Sequence, residues 1–554
     1  MVVMLLCPAG VMWFYPSFRT LVTSLALISP GIASAQQYQD WTWCYEPDST
    51  RDQTIAGCTA LILSGRESKD HLAVEFYNRA YAHHAMGNYD YAIADYDQAT
   101  RLNPKDAPTY NNRGNAYSKK GDYEHAIADY DQAMGLNPEA PSPYNNRGNA
   151  YYRKGDYDRA VADYSQAIGL NPKDASPYNN RGLAYHAKGD LDRAIADYDQ
   201  AIRLDPKFVY SYKNRGRAHQ EKGDYEHAIT DYDRAVQLDP EYLMAYEGRG
   251  EAYHGQGDYD RAIADFEQVI GLDPKYVMAY NNRALAYYAK GNFDHAIVDY
   301  DQSIKLDPKN ATAFNGRGSA YEAKGDHERA IADYDQAIWL SSEYSYAHFG
   351  RGIANFYAGS LAKSLADFNR ANELDPGNAY AALWIDIVRK RSDQQSDFAK
   401  VLTRIDLTKW PAPIVRLYLR QITAETVLVA ANDGDAKTRK GRLCEFNFYS
   451  GELALQGGSK DDAARLLRLA AADCPKELRR IHSRQCGTEK AGNYSMKTLA
   501  ETFPSFRDSI RNAAGIDATI DFKALFDSLE IMEGVTRHFF LRALIEESMG
   551  SRTD

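Results

Sequence analysis

Asn78, Asn112, Asn146, Asn180 and Asn214 stand 34 residues apart, and the series resumes at Asn282. A primary amide carries two N–H donors and a carbonyl acceptor. A row of amides at fixed spacing can therefore hold the main chain of an extended peptide without reading its side chains. Asn115 and Asn149, each three residues beyond a member of the row, share its helical face. Tyr210, Met244 and Met278 stand four residues ahead of the row's register and give that face an apolar stretch. Tyr and Met suit adaptable binding surfaces. Lys213 and Arg217 add two cations four residues apart. This is the chemistry of recognition, by hydrogen bonds and apolar contact, and the expected partners are segments of other proteins.

Groupings that could break or make a covalent bond do not assemble. No HExxH, CxxC, GxSxG or phosphate-binding loop occurs in the chain. His482 near Cys486 supplies two potential metal ligands where a closed site needs four. Asp129 and Asp131 recur as an acid pair, but they flank Tyr130 at i and i+2 and on a helix do not face each other. The expectation is a non-enzymatic protein without cofactor or metal site. The balance of 65 Lys and Arg against 76 Asp and Glu gives a net charge of −11, with no dense cationic block. Nucleic acid, which demands such a block, is not an expected partner.

The elements that must position the amides are legible in the same period. A glycine every 34 residues, from Gly87 to Gly359, marks nine copies of one unit, starting at 73, 107, 141, 175, 209, 243, 277, 311 and 345. Each copy reads as two helices. The first, helix A, has an aromatic at position 4, a small residue at 8 and usually Tyr at 11. Helix B has Ala at 20, Tyr or Phe at 24 and a small residue at 27, and Pro at 32 usually stops it. Arg at position 7 and Asp at 23 recur in every copy, from Arg79 to Arg351 and from Asp95 to Asp367. A partly buried charge needs a partner, so an ion pair such as Arg113 with Asp129 is expected between the two helices of each copy. Asn at position 6 has a plainer reading too, as a residue that caps or pairs within its own copy.

A 34-residue period with this pattern resembles the tetratricopeptide-repeat (TPR) family. The resemblance implies an all-α superhelical solenoid of antiparallel helix pairs, each repeat packing on its neighbours. It places positions 2, 6, 9 and 13 of helix A on a concave, peptide-binding groove. Chaperone-binding members carry Lys at 5 with Asn at 9, and here Lys213 with Arg217 is the nearest approach. A C-terminal acidic peptide is therefore not the expected ligand.

The flanks suggest export. Arg19, the apolar run Leu21 to Ile28, Pro30 and then Ala33-Ser34-Ala35 before Gln36 have the order of a signal peptide over residues 1–35. Its apolar run is too short to span a bilayer, so no integral membrane segment is expected after its removal. Cys7 sits too early to be a lipid-attachment site. Residues 36–72 form an N-terminal cap in which Cys44 and Cys58 are expected to pair, a loop closure worth about 3 kcal/mol. Cys444 and Cys474 hold positions 1 and 31 of a degenerate tenth repeat, neighbouring ends of antiparallel helices, and are the second expected disulfide. Two such pairs fit an oxidising compartment.

Residues 379–477 carry a second likeness. Trp410 with Val415, Leu417-Tyr418-Leu419, and Asn447-Phe448-Tyr449 with Gly451 resemble the C-terminal half of the NlpI-like TPR proteins. That resemblance implies an envelope-associated adaptor, periplasmic or held at the outer membrane, whose partners are peptidoglycan hydrolases or the proteases that degrade them. The lipid-attachment Cys of the namesake has no counterpart here, and the array is longer. Residues 478–554 form a helical extension in which Asp521 to Met549 reads as an amphipathic helix. It either caps the tenth repeat or docks on a second copy, and the resemblance favours a homodimer. A structural or assembly role for the outer membrane or an exported polymer, and an enzyme in 478–554, are the other readings.

Overall fold

The computed structural model describes residues 35–396, 398–402 and 405–473, and among these there are helices and no strands. The expected signal peptide, Cys474 and the extension 478–554 with its helix Asp521–Met549 lie outside the described residues. The chain divides into two compact units, up to Ala218 and from His219. No helix among the described residues is long and apolar enough to cross a membrane.

Local sequence sets each helix end. In the second repeat Asp106 accepts from the Thr109 N–H and starts helix A, Ala107–Lys120. Gly121, at φ 83° in the left-handed region, closes it. Asp122 then accepts from the His125 N–H and starts helix B, Tyr123–Leu136. Gly114 lets the two helices close: a Cβ there would lie 2.7 Å from Tyr130 Cε1. The Tyr130 ring fills the space, with Ala126 and Ala133 fully buried around it.

The first unit begins with two helices, Ala35–Tyr45 and Arg51–Ser64, joined by a Cys44–Cys58 disulfide. Thr50 and Gln53 form a reciprocal capping box at the start of the second. Four helix pairs follow, from Lys69–Ala85 with Tyr89–Leu102 to Ala175–Ala187 with Leu191–Leu204. The first helix A starts at Lys69, four residues ahead of the period, because Ser68 accepts from the His71 N–H and caps it there.

The second unit holds helix B of the fifth repeat, Tyr225–Leu238, then four pairs from Leu243–Gln256 with Tyr259–Leu272 to Ser345–Tyr357 with Leu361–Leu374. Beyond them Ala379–Arg391, Phe398–Val401, Ala412–Tyr418 and Ala424–Ala431 lead into a last pair, Ala436–Gln456 and Lys460–Asp473. The sequence starts this tenth repeat at 444. The helix starts at 436 because Asp435 caps it, accepting from the Thr438 N–H. Trp384, fully buried, stacks on Phe368 and meets Phe356 and Phe448. Glu445, 2% exposed, accepts from Trp410 Nε1 at 2.7 Å and Tyr380 Oη at 3.0 Å. Cys444 is fully buried and disulfide-bonded.

The recurring Arg is a three-way tie. Arg147 donates Nε and Nη2 to the two oxygens of Asp163, at 2.8 and 2.6 Å, across its own repeat. Its Nη1 donates to Asp131 of the preceding repeat at 2.5 Å. Arg249, Arg317 and Arg351 repeat the fork on Asp265 with Asp233, Asp333 with Asp301, and Asp367 with Asp335. Arg181 reaches Ser165 where that second Asp is absent, and Arg79 reaches Thr59 of the cap. The hydrogen bonds to Asp163 and then Asp131 hold the Arg147 guanidinium above its ordinary value against the cost of burial. Removing one partner of a buried pair strands the other. Arg147→Ala is expected to lower stability by about 3 kcal/mol, read as a fall in the urea midpoint, and an unchanged midpoint would show the fork to be dispensable.

A buried carboxyl of the first repeat is met by a phenol. Glu75 of the first helix A is fully buried, and Tyr45 Oη of the cap donates to it at 3.4 Å. Burial, then the charge of Glu67, pushes its carboxyl up to about 7 from an ordinary value of 4.5, against the lowering effect of Tyr45. Between those two values the folded chain holds a proton that the unfolded chain releases, so stability falls as pH rises through the window. Glu75→Gln is expected to flatten that slope and to raise Tm more above the window than below it. Thermal melts of both proteins across pH check this.

Candidate functional site

The position-6 amides lie on helix A of successive repeats, and each makes one bond to the element before it. Asn112 Nδ2 donates to Tyr77 Oη at 2.8 Å, Asn146 to Asn111 Oδ1 and Asn180 to Asn145 Oδ1 at 3.0 Å, and Asn214 to Asn179 Oδ1 at 2.9 Å. Asn78 donates to the Cys44 carbonyl of the cap at 3.1 Å. The amides therefore pair across repeats, where the plainer reading of the sequence had them pairing within one. Asn112, Asn146 and Asn180 remain half-buried, while Asn214 is 5% exposed with its partner Asn179 at 4%. Asn214 thus sits inside a repeat junction, away from any ligand.

A stitch of this kind engages one of the two N–H groups of an amide. In Asn112 and Asn180 the carbonyl is approached by the neighbouring Asn111 and Asn179 Nδ2 at 3.3 and 3.4 Å, long contacts that leave room for a better donor. Asn115 and Asn149 accept from Tyr130 and Tyr164 Oη at 2.8 Å. Their carbonyls tie helix A to helix B, and their N–H groups are what a ligand could meet. Burial, then the Asp106 and Tyr81 charges, pushes the Tyr77 phenol up to about 12 against the effect of its bond with Asn112, so it stays a neutral partner. The Asn-Asn doublet at 111, 145 and 179 is the sequence signal for the accepting position, which lies one residue off the helical face of the row.

Tyr210 is 57% exposed, with Phe208 edge-on at 6.0 Å. Lys213 is partly buried, and burial, then Arg217, lowers its ammonium from the ordinary value. In the second unit Met244, Met278 and Leu285 are 38%, 49% and 46% exposed. Leu285 holds the position-9 register that carries Asn115 and Asn149 in the second and third repeats. Asn282 donates to Glu251 Oε1 at 3.4 Å, and Tyr276 Oη donates to Glu247 at 2.9 Å. The position-6 glycines 248, 316 and 350 have a steric cause: a Cβ would fall 2.3–2.6 Å from the phenol of Tyr232, Tyr300 or Tyr334 in the repeat before. The row breaks where an aromatic takes the space of the amide.

Family models described as TPR repeat match residues 80–121, 114–155, 148–189, 182–223 and 285–325, and models described as tetratricopeptide repeat match 213–277 and 311–344. No curated protein matches the chain. Among solved structures, a tetratricopeptide repeat protein from Parabacteroides merdae is 22% identical, with 45% of this chain and 98% of that one covered and a TM-score of 0.39. YrrB, titled a TPR protein with an unusual peptide-binding site, is 24% identical over 33% of this chain and 95% of its own, at 0.30. The Cut9–Hcn1 hetero-tetramer of the APC/C is 13% identical over 61% and 83%, at 0.38. With repeat models falling on helix pairs of the 34-residue period between residues 80 and 344, this chain is a tetratricopeptide-repeat protein.

Proposed function

We propose that the protein is a non-enzymatic adaptor that binds extended segments of partner proteins along the helix A face of its repeats. TPR arrays generally serve as protein-binding scaffolds, and that much follows from the family. The observation that carries the finer reading is the line of half-buried amides at Asn112, Asn146 and Asn180, each with hydrogen-bonding capacity beyond its stitch. Exposed Tyr210 in the first unit and Met244, Met278 and Leu285 in the second support apolar contacts on the same register.

A location in the bacterial envelope belongs to the proposal. The signal-like residues 1–35 support it, and the Cys44–Cys58 disulfide is in keeping with an oxidising compartment. The likeness of residues 379–477 to NlpI-like proteins supports peptidoglycan hydrolases, or the proteases that degrade them, as partners, and a homodimer as the working form.

Affinity capture from an envelope extract, followed by titration of the captured partner's segment, tests this reading. Asn112, Asn146 and Asn180 are changed together to Ala. Each lost hydrogen bond is worth about 0.5–1.5 kcal/mol, so affinity is expected to fall about tenfold or more. The same change removes three stitches, so the melting curve is recorded alongside and binding is measured well below it. A folded triple variant that binds its partner as tightly as the parent removes the amide row from the binding site.

A further inference from the structure

We propose that the corner between the two helices of the fifth repeat is a site for a divalent transition-metal ion, held by His219, Asp224 and His227. Three ligand atoms, one from each residue, lie within 4.8 Å of one another, the one such group of His, Cys, Asp and Glu among the described residues. Asp224 Oδ2 is 2.8 Å from His227 Nδ1 and 3.4 Å from His219 Nδ1. An ion about 2.0–2.1 Å from each ligand in tetrahedral geometry needs ligand atoms about 3.3–3.5 Å apart. One edge already has that length, and the exposed His227 ring is placed to open the other.

The repeats supply an internal comparison. Position 11 is tyrosine in six of them, at Tyr117, Tyr151, Tyr185, Tyr253, Tyr287 and Tyr321, and position 19 is His or Arg. There the position-19 group lies over the phenol ring, as His125 does on Tyr117 at 5.1 Å and Arg261 on Tyr253 at 4.3 Å. In the fifth repeat His219 replaces the phenol and stacks on His227 at 5.3 Å and 25°, against 25° for Tyr117 with His125. The backbone of the corner is the common one. Asp224 still caps helix B, accepting from the His227 N–H at 3.3 Å. One substitution therefore adds a second imidazole to an Asp–His edge that the second repeat also has, at Asp122 and His125. No other copy combines His at 11, Asp at 16 and His at 19.

Two imidazoles and one carboxylate suit a borderline ion such as Zn2+. Three protein ligands leave a fourth coordination position for water or for a side chain of a bound protein. The hydrogen bond that the His227 imidazole donates to Asp224 holds it above its ordinary range, and protons compete with metal for the same nitrogen. The test is run at about pH 8, beyond the usual imidazole range.

The full chain is titrated with Zn2+ in a non-coordinating buffer and followed by calorimetry. One ion per chain is expected, with an affinity that falls at least about tenfold in His219→Tyr and in His227→Arg. Each variant introduces the residue that sister repeats carry at that position, and circular dichroism checks that the fold is kept. His125→Arg in the second repeat is expected to leave the titration unchanged. Parental affinity retained in either His219→Tyr or His227→Arg overturns the proposal, as does a parent chain that takes up no Zn2+ at micromolar concentration.

Discussion

The fork of each position-7 arginine is the constraint on which the helix pairs depend. A guanidinium has five N–H donors in one plane, and Arg147 directs two at Asp163 in its own repeat and a third at Asp131 in the one before. The same group thus closes a helix pair and sets its offset from its neighbour. A buried ion pair returns little net stability once desolvation is counted, but its geometry admits one register. Both acids that flank the core tyrosine, idle as a catalytic pair, are used: the inner one faces its own Arg and the outer one the next. Where the outer acid is Ser165, the neutral hydroxyl still takes the bond from Arg181, so register survives the loss of charge.

The face proposed to meet a ligand is built from residues that hold the repeats together. Asn146 ties to Asn111 and Asn180 to Asn145, while Asn149 holds Tyr164 and Asn115 holds Tyr130. Side chains fixed in this way lose little rotamer freedom on meeting a peptide, which favours binding by pre-organisation. The cost is coupling, since any change to these amides also loosens a repeat junction. At Asn214 the junction has closed over the amide altogether. The second unit departs in character, with Met244, Met278 and Leu285 exposed and Glu247 and Glu251 among the polar groups.

Variation within the repeats changes side-chain chemistry on an unchanged backbone. Six corners keep a tyrosine at position 11, and the fifth has His219 in its place, which leaves the backbone alone and alters the chemistry of the corner. The Cys44–Cys58 pair and the Trp384 cluster act at the two flanks, where the repeat pattern gives way and a terminal helix pair must be covered.

The helix pairs, their caps and the arginine–aspartate pairing were determined by the sequence itself. They rest on short-range rules, with an Asp, Asn or Ser before each helix B, a left-handed Gly after each helix A and a small residue opposite each aromatic, and these repeat every 34 residues. The start of the helix at 436 escaped that reading because the repeat pattern has faded there, while the cap at Asp435 is local and decisive. Which neighbour an amide meets was decided only by the tertiary structure. In a periodic chain every Asn at position 6 has equivalent candidates in its own repeat and in the repeats on either side, and the sequence treats them alike. The offset of one helix A against the next breaks that equivalence, bringing Asn146 to Asn111 and Asn180 to Asn145. Hydrogen bonds are selective at tenths of an ångström, a scale on which packing decides and periodicity is silent.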